Sequence, residues 1–169
     1  KGKVGHRMAV GVKLNGDDFI GKDGWVLEDA CRVAPMLEEA GADYLSLTAA
    51  VMGASRLTIP PLYEKQGCFS HFAAAVKQHV SIPVAAIGRI KNPQMADDLV
   101  REGQADIVCM GRAMIADSEV VEKARAGDLA DIRPCLAECR GCIDQQMRTA
   151  RSGERISCSC VVNPRVQRE

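Results

Sequence analysis

Five cysteines crowd the C-terminal end of the chain: Cys135, Cys139, Cys142, Cys158 and Cys160. They run Cys-x3-Cys-x2-Cys, then a basic spacer from Arg148 to Arg155, then Cys-x-Cys-Val-Val-Asn-Pro. Thiolates packed this closely repel one another unless something binds them. Several soft donors from a short loop, with one more from further along, suit a metal ion or an iron–sulfur cluster. The remaining cysteines, Cys31, Cys68 and Cys109, are scattered singly. A secreted disulfide framework spreads its cysteines to staple distant loops, whereas this chain concentrates them at one end. The pattern reads as a reduced, cytoplasmic protein.

Two further groups could do chemistry. Gly88-Arg89 and Gly111-Arg112 each close an apolar run. Glycine lets backbone N–H groups come close to phosphate oxygens, and arginine adds a forked donor. Each pair alone could simply turn a strand into a loop with its arginine solvated; two pairs at adjacent strand ends favour phosphate. Lys13 sits inside the first apolar run. An unpaired cation is costly in a core strand, so Lys13 either snorkels to solvent or faces a ligand that becomes anionic.

The elements that must position these groups repeat as strand then helix. An apolar run over residues 8–14 precedes a helix from about Leu27, with Ala30, Val33, Ala34 and Leu37 on its apolar face and Gly41 as its stop. Pro35 falls inside it and predicts a kink or an early break. A second run, Tyr44 to Leu47, leads into a long loop to about Gly67, then a helix marked by Phe69, Phe72, Ala73 and Val76. The third run, Ile82 to Ile87, is followed by a helix with Asn92 as N-cap, Pro93 in its first turn and Gly103 as its end. The fourth, Ala105 to Met110, is followed by a helix over about 118–125 that stops at Gly127.

Runs this apolar read as parallel strands covered by helices. Without a dinucleotide Gly-x-Gly-x-x-Gly fingerprint they favour a (β/α)8 barrel over a Rossmann fold, and the loops after the last two barrel strands commonly build a phosphate site. Only four βα units are legible, so the expectation is an α/β chain forming the second half of a TIM barrel over 1–132, followed by a Cys-rich cluster-binding segment over 133–169. The 169 residues, 47% hydrophobic, can bury a core. Equal numbers of basic and acidic residues, 22 each, give no electrostatic case for nucleic acid, and no apolar run is long enough to span a membrane. Both ends read as cut.

Taken together, these stretches resemble the flavin-barrel oxidoreductases that carry an iron–sulfur cluster, the 2,4-dienoyl-CoA reductase, trimethylamine dehydrogenase and enoate reductase group of the old yellow enzyme superfamily. The resemblance lies in Val12-Lys-Leu-Asn-Gly-Asp-Asp-Phe19, Leu37-Glu-Glu-Ala-Gly-Ala-Asp-Tyr44, the runs from Ile82 to Ile90 and Gly103 to Ala113, Ile132-Arg-Pro-Cys135 and Cys160-Val-Val-Asn-Pro-Arg165. It implies FMN, with Gly88, Arg89, Gly111 and Arg112 at its phosphate and Lys13 beside the pyrimidine edge of the flavin. It also implies a 4Fe-4S cluster on Cys135, Cys139, Cys142 and Cys160, with Cys158 as the rival fourth ligand. FAD and/or NAD(P)H would bind a domain that this chain lacks.

The chain departs from the family at two points. Family members often carry Cys-x2-Cys-x3-Cys, so Cys139 is shifted by one residue here. Dienoyl-CoA reductases place a histidine in the loop after the sixth strand, whereas here residues 49–56 hold none. His6, His71 and His79 read as surface or helix-end residues. Arg56 and Tyr63 could contact a small-molecule substrate or simply brace their loop, and a dienoyl thioester reductase, an enoate reductase and an amine dehydrogenase or demethylase all stay open. The competing readings are a four-thiolate zinc staple on a phosphate-binding half-barrel without redox activity, and a nonfunctional fragment. A fragment could pair with a second copy to close its barrel, giving a homo-oligomer.

Overall fold

The computed structural model describes residues 1–51 and 55–167, with only the backbone at Ser55 and Arg56. Four parallel strands form one sheet in sequential order: β1 (Gly11–Asn15), β2 (Tyr44–Thr48), β3 (Val84–Ala86) and β4 (Ile107–Val108). Helices separate them: α1 (Leu27–Glu39), then α2 (Ser55–Thr58) and α3 (Ser70–Lys77), then α4 (Pro93–Arg101). After β4 come α5 (Gly111–Ala116), α6 (Val120–Ala126), a 3-10 turn at Leu129–Asp131 and α7 (Ile143–Ser152). This succession of neighbouring parallel strands is the arc of a barrel rather than a doubly wound sheet.

Register explains which face is buried. Val12 pairs with Leu45 and Leu45 with Val84, while Leu14 pairs with Leu47. These side chains lie on the helix side of the sheet, where Ala30 and Ala34 of α1 and Phe72, Ala73 and Val76 of α3 meet them in one core. Leu45, Leu47, Val76 and Val84 are almost wholly shielded from solvent, each burial worth about 1.5–3 kcal/mol before conformational entropy is counted. The opposite face carries Lys13, Ser46, Ala85 and Ile107 in register across the four strands. On this face Lys13 is exposed and Ile107 is 44% exposed, whereas Ala85 is buried.

The helix boundaries follow local chemistry. The Asn92 side chain accepts from the Gln94 amide at 2.9 Å, with Pro93 in the first turn, as the sequence predicts. The chain leaves α1, α4 and α6 at Gly41, Gly103 and Gly127 through the same paired backward hydrogen bonds, such as Gln104 N–H to Leu99 C=O at 2.9 Å.

Three expectations need correction. Helix α1 does not break at Pro35 but runs on to Glu39; the proline costs the Cys31 carbonyl its intrahelical donor, and the burial of Ala30 and Ala34 on the sheet outweighs that loss. The loop to Gly67 contains α2, and the basic spacer contains the second half of α7. Ile143 and Met147, four residues apart, give α7 its apolar edge, a signal partly masked by the arginines around it.

Candidate active site

The two Gly-Arg pairs meet. Gly88, Arg89, Gly111 and Arg112 line one cavity of about 210 Å³ at the C-terminal ends of β3 and β4, together with Cys109 and Cys135. The chain passes through Gly88 at φ +126°, where a Cβ would lie 2.7 Å from the Phe69 backbone nitrogen. Only glycine fits that approach. The next residue, Arg89, is held at φ +54°, a left-handed conformation that costs a non-glycine residue about 1–3 kcal/mol and is found where a side chain must be aimed. Its Nη1 donates to the Glu64 carbonyl, while its Nε is buried without a hydrogen-bond partner among the described residues. A buried guanidinium N–H left unpaired is expensive, and an anion in the cavity would satisfy it. Arg112 follows Gly111 in the first turn of α5, where backbone amides have no intrahelical acceptor. The residues present therefore fit a phosphate group.

Lys13 does not line this cavity. It lies two strands away on the open sheet face, in register with Ser46. Tyr63 is 74% exposed and borders a groove of about 520 Å³ with Cys139, Ile143 and Met147. The Arg56 side chain lies outside the described residues. His6, His71 and His79 are all exposed, as expected.

The cysteine segment is folded against the same cavity. Cys135 forms part of its wall, and the Cys135 sulfur accepts from the Ala137 amide at 3.3 Å. Ala137 and Cys139 both take left-handed backbone angles, φ +56° and +71°, so the loop curls tightly between its first two thiols. Arg112 Nη1 donates to Cys139 Sγ at 3.1 Å. Further along, Gly141 lies against the extended stretch from Cys158 to Cys160. The Ser159 amide donates to the Gly141 carbonyl at 2.7 Å, and a Cβ on Gly141 would sit 2.6 Å from the Ser159 carbonyl oxygen. That close approach brings the distal cysteines to the loop. Burial pushes the Cys142 thiol above its ordinary range; the Ile143 amide opposes this, and the nearby Cys139, Cys135 and Cys158 sulfurs add to it. Among the described residues no three thiols converge as a metal would hold them. Cys158 and Cys160 both border a cavity of about 270 Å³ with Asn163.

Sequence reasoning missed the groups that hold this segment down. Asp117, fully buried just after α5, accepts from Lys123 Nζ at 2.8 Å and from the Arg133 and Glu119 amides at 2.9 and 3.1 Å. Arg133 Nε donates to the Ala116 carbonyl at 3.2 Å, and buried Asn163 donates to the Ile115 carbonyl at 3.0 Å. Both ends of the cysteine segment are thus tied to α5. An aspartate at the end of a short helix carries no sequence signal for such a role.

A family model described as the NADH:flavin oxidoreductase / NADH oxidase family matches residues 1–130. The chain belongs to that family, and its arc of βα units is part of a TIM barrel of the FMN oxidoreductase group in the old yellow enzyme superfamily. The NADH oxidase of Thermoanaerobacter brockii is 34% identical over 169 residues, all of this chain and 25% of the relative. A complex of 2-naphthoyl-CoA reductase with 2-naphthoyl-CoA superposes with a TM-score of 0.81 at 29% identity, over 92% of this chain and 23% of the other. Histamine dehydrogenase from Rhizobium sp. 4-9 gives a TM-score of 0.81 at 25% identity, over 98% and 23%. The chain spans about a quarter of the length of these relatives. The cysteine segment lies beyond the residues the family model matches.

Proposed function

We propose that this chain supplies the phosphate-binding half of an FMN barrel and the thiol segment of a 4Fe-4S centre in an NAD(P)H-linked oxidoreductase. The observation that carries the reading is the cavity where both Gly-Arg pairs meet, with Cys135 in its wall. Bound FMN would supply hydride exchange with the substrate, and a cluster would take up electrons singly. This chain's own groups bind and orient. Gly88 and Gly111 let backbone approach the phosphate, Arg89 and Arg112 neutralise it, and Lys13 holds a positive charge on the face where the flavin ring would lie. Cys135, Cys139 and Cys142 would hold the metal centre, with Cys160 as fourth ligand by its Val-Val-Asn-Pro context and Cys158 as its rival.

Arg56 and Tyr63 remain the candidate substrate contacts. The substrate is a small molecule, and the likeness to both a CoA-thioester reductase and an amine dehydrogenase supports either a conjugated acyl group or an amine. FAD and/or NAD(P)H would bind another domain of the full-length protein, which would work in the reducing cytoplasm that free thiols require. Thiolate ligands alone do not separate a cluster from structural zinc; family membership favours the redox centre.

The test is anaerobic reduction of the full-length protein by NADH, followed in the visible spectrum. Bleaching of flavin and of a broader sulfur-to-iron absorbance is expected. In the Cys142→Ser variant the broad component should be missing while flavin still bleaches. A wild-type protein whose spectrum NADH leaves unchanged, with NADPH equally inert, contradicts the reading.

A further inference from the structure

Among the described residues, Arg112 is the cation that both lines the cavity and bonds a thiol of the cysteine segment. Its side chain lines the anion cavity, and its Nη1 donates to Cys139 Sγ at 3.1 Å. Cys135 and Ala137 wall the same cavity, so the thiol loop and the anion share a boundary as well as a donor. We infer that Arg112 is a positioning residue that couples occupancy of the cavity to the Cys139 thiol. The inference rests on the proposed function for the identity of the anion, and on the observed hydrogen bond for the coupling.

A guanidinium has five N–H donors in a fixed plane. Turning one edge to sulfur restricts where the others can point. Whatever affinity the thiol withdraws from the anion, the anion withdraws from the thiol by the same factor. A metal centre that engages Cys139 would therefore alter how tightly the phosphate end of the neighbouring cofactor is held.

Inorganic phosphate binding to the deflavinated full-length protein, measured by calorimetry, tests this directly. Replacing Cys139 by alanine releases Arg112 toward the cavity, so phosphate should bind about threefold tighter or more, the scale of one charge-assisted hydrogen bond partly redirected. In an Arg112→Gln background the same Cys139→Ala change should leave phosphate affinity unaltered. Cys31→Ala, which removes a thiol on α1 that Arg112 does not touch, should also leave it unaltered. Arg112→Lys, which keeps the charge without the fork, replaces Arg112→Gln if the latter fails to fold. The coupling is overturned if wild-type protein takes up no phosphate, if Cys139→Ala has no effect, or if Cys31→Ala or the Arg112 background reproduces that effect. Iron and sulfide content of the same samples reports separately on the metal centre, because inorganic phosphate needs neither flavin nor cluster to bind.

Discussion

Gly88 and Arg89 show how much a pair of adjacent residues can specify. The glycine admits the chain past Phe69, and the arginine that follows is turned so that its Nε is buried and, among the described residues, unpaired. Gly88→Ala should therefore act on fold and site together. The added Cβ meets backbone at a positive φ, which should cost about 1–3 kcal/mol in urea unfolding and prevent FMN uptake. Arg89→Gln should separate the two effects. It leaves the backbone path intact and removes a charged donor from the phosphate, so FMN affinity should fall about 10- to 100-fold by fluorescence titration with little change in unfolding midpoint. The pairing of these residues with Gly111 and Arg112 was legible from the sequence because both pairs end apolar runs. The strain at Arg89 and its contact with Glu64 were not, since they depend on a loop twenty-five residues upstream.

Among the elements, α5 has the largest role for its length. It presents Arg112 at one end, and at the other it anchors the cysteine segment through Asp117 and the Ile115 and Ala116 carbonyls. The sequence reading had no helix at this position, because six residues carry too little periodicity to register. Asp117 makes the element sensitive to acid. Burial alone would push its carboxyl up; the Lys123 ammonium and the Arg133 and Glu119 amides outweigh that and hold it below the ordinary carboxylate range. In the unfolded chain it titrates near about 3.9. The native state binds fewer protons between the two values, so the stability contributed is complete above about pH 4 and is lost as pH falls through the lower native value. Asp117→Asn should lower the urea midpoint at neutral pH by the equivalent of about 1–3 kcal/mol. It should also make the acid decline shallower, though not flat, because hydrogen bonds and ion pairs to Lys1 and Lys77 likewise depress Asp43 and Asp106. Gly141 is the second such point. A Gly141→Ala substitution pushes on the Ser159 backbone, so iron content should drop while FMN content is kept.

At the scale of the whole molecule, the sheet explains why four units read so clearly. Their inward residues are small or apolar, their helices end at glycines, and both signals are local. What the sequence could not show is how the cysteine segment lies against the barrel. That depends on contacts separated by tens of residues, such as Asn163 with Ile115 and Ser159 with Gly141. A parallel sheet is ordinarily covered on both sides, and here Lys13 and Ile107, on the two outer strands of one side, stay exposed. Expressed alone, the 169-residue chain should self-associate in sedimentation experiments; a monomer over a wide concentration range would contradict that expectation.

Cofactor analysis of the full-length protein, purified anaerobically, tests the central claim most directly, because it asks at once whether the anion cavity and the thiol segment hold what their chemistry fits. The account predicts FMN at about one per chain, with iron and acid-labile sulfide at about four each. Zinc in place of iron, with no flavin bound and none taken up on addition, would contradict it.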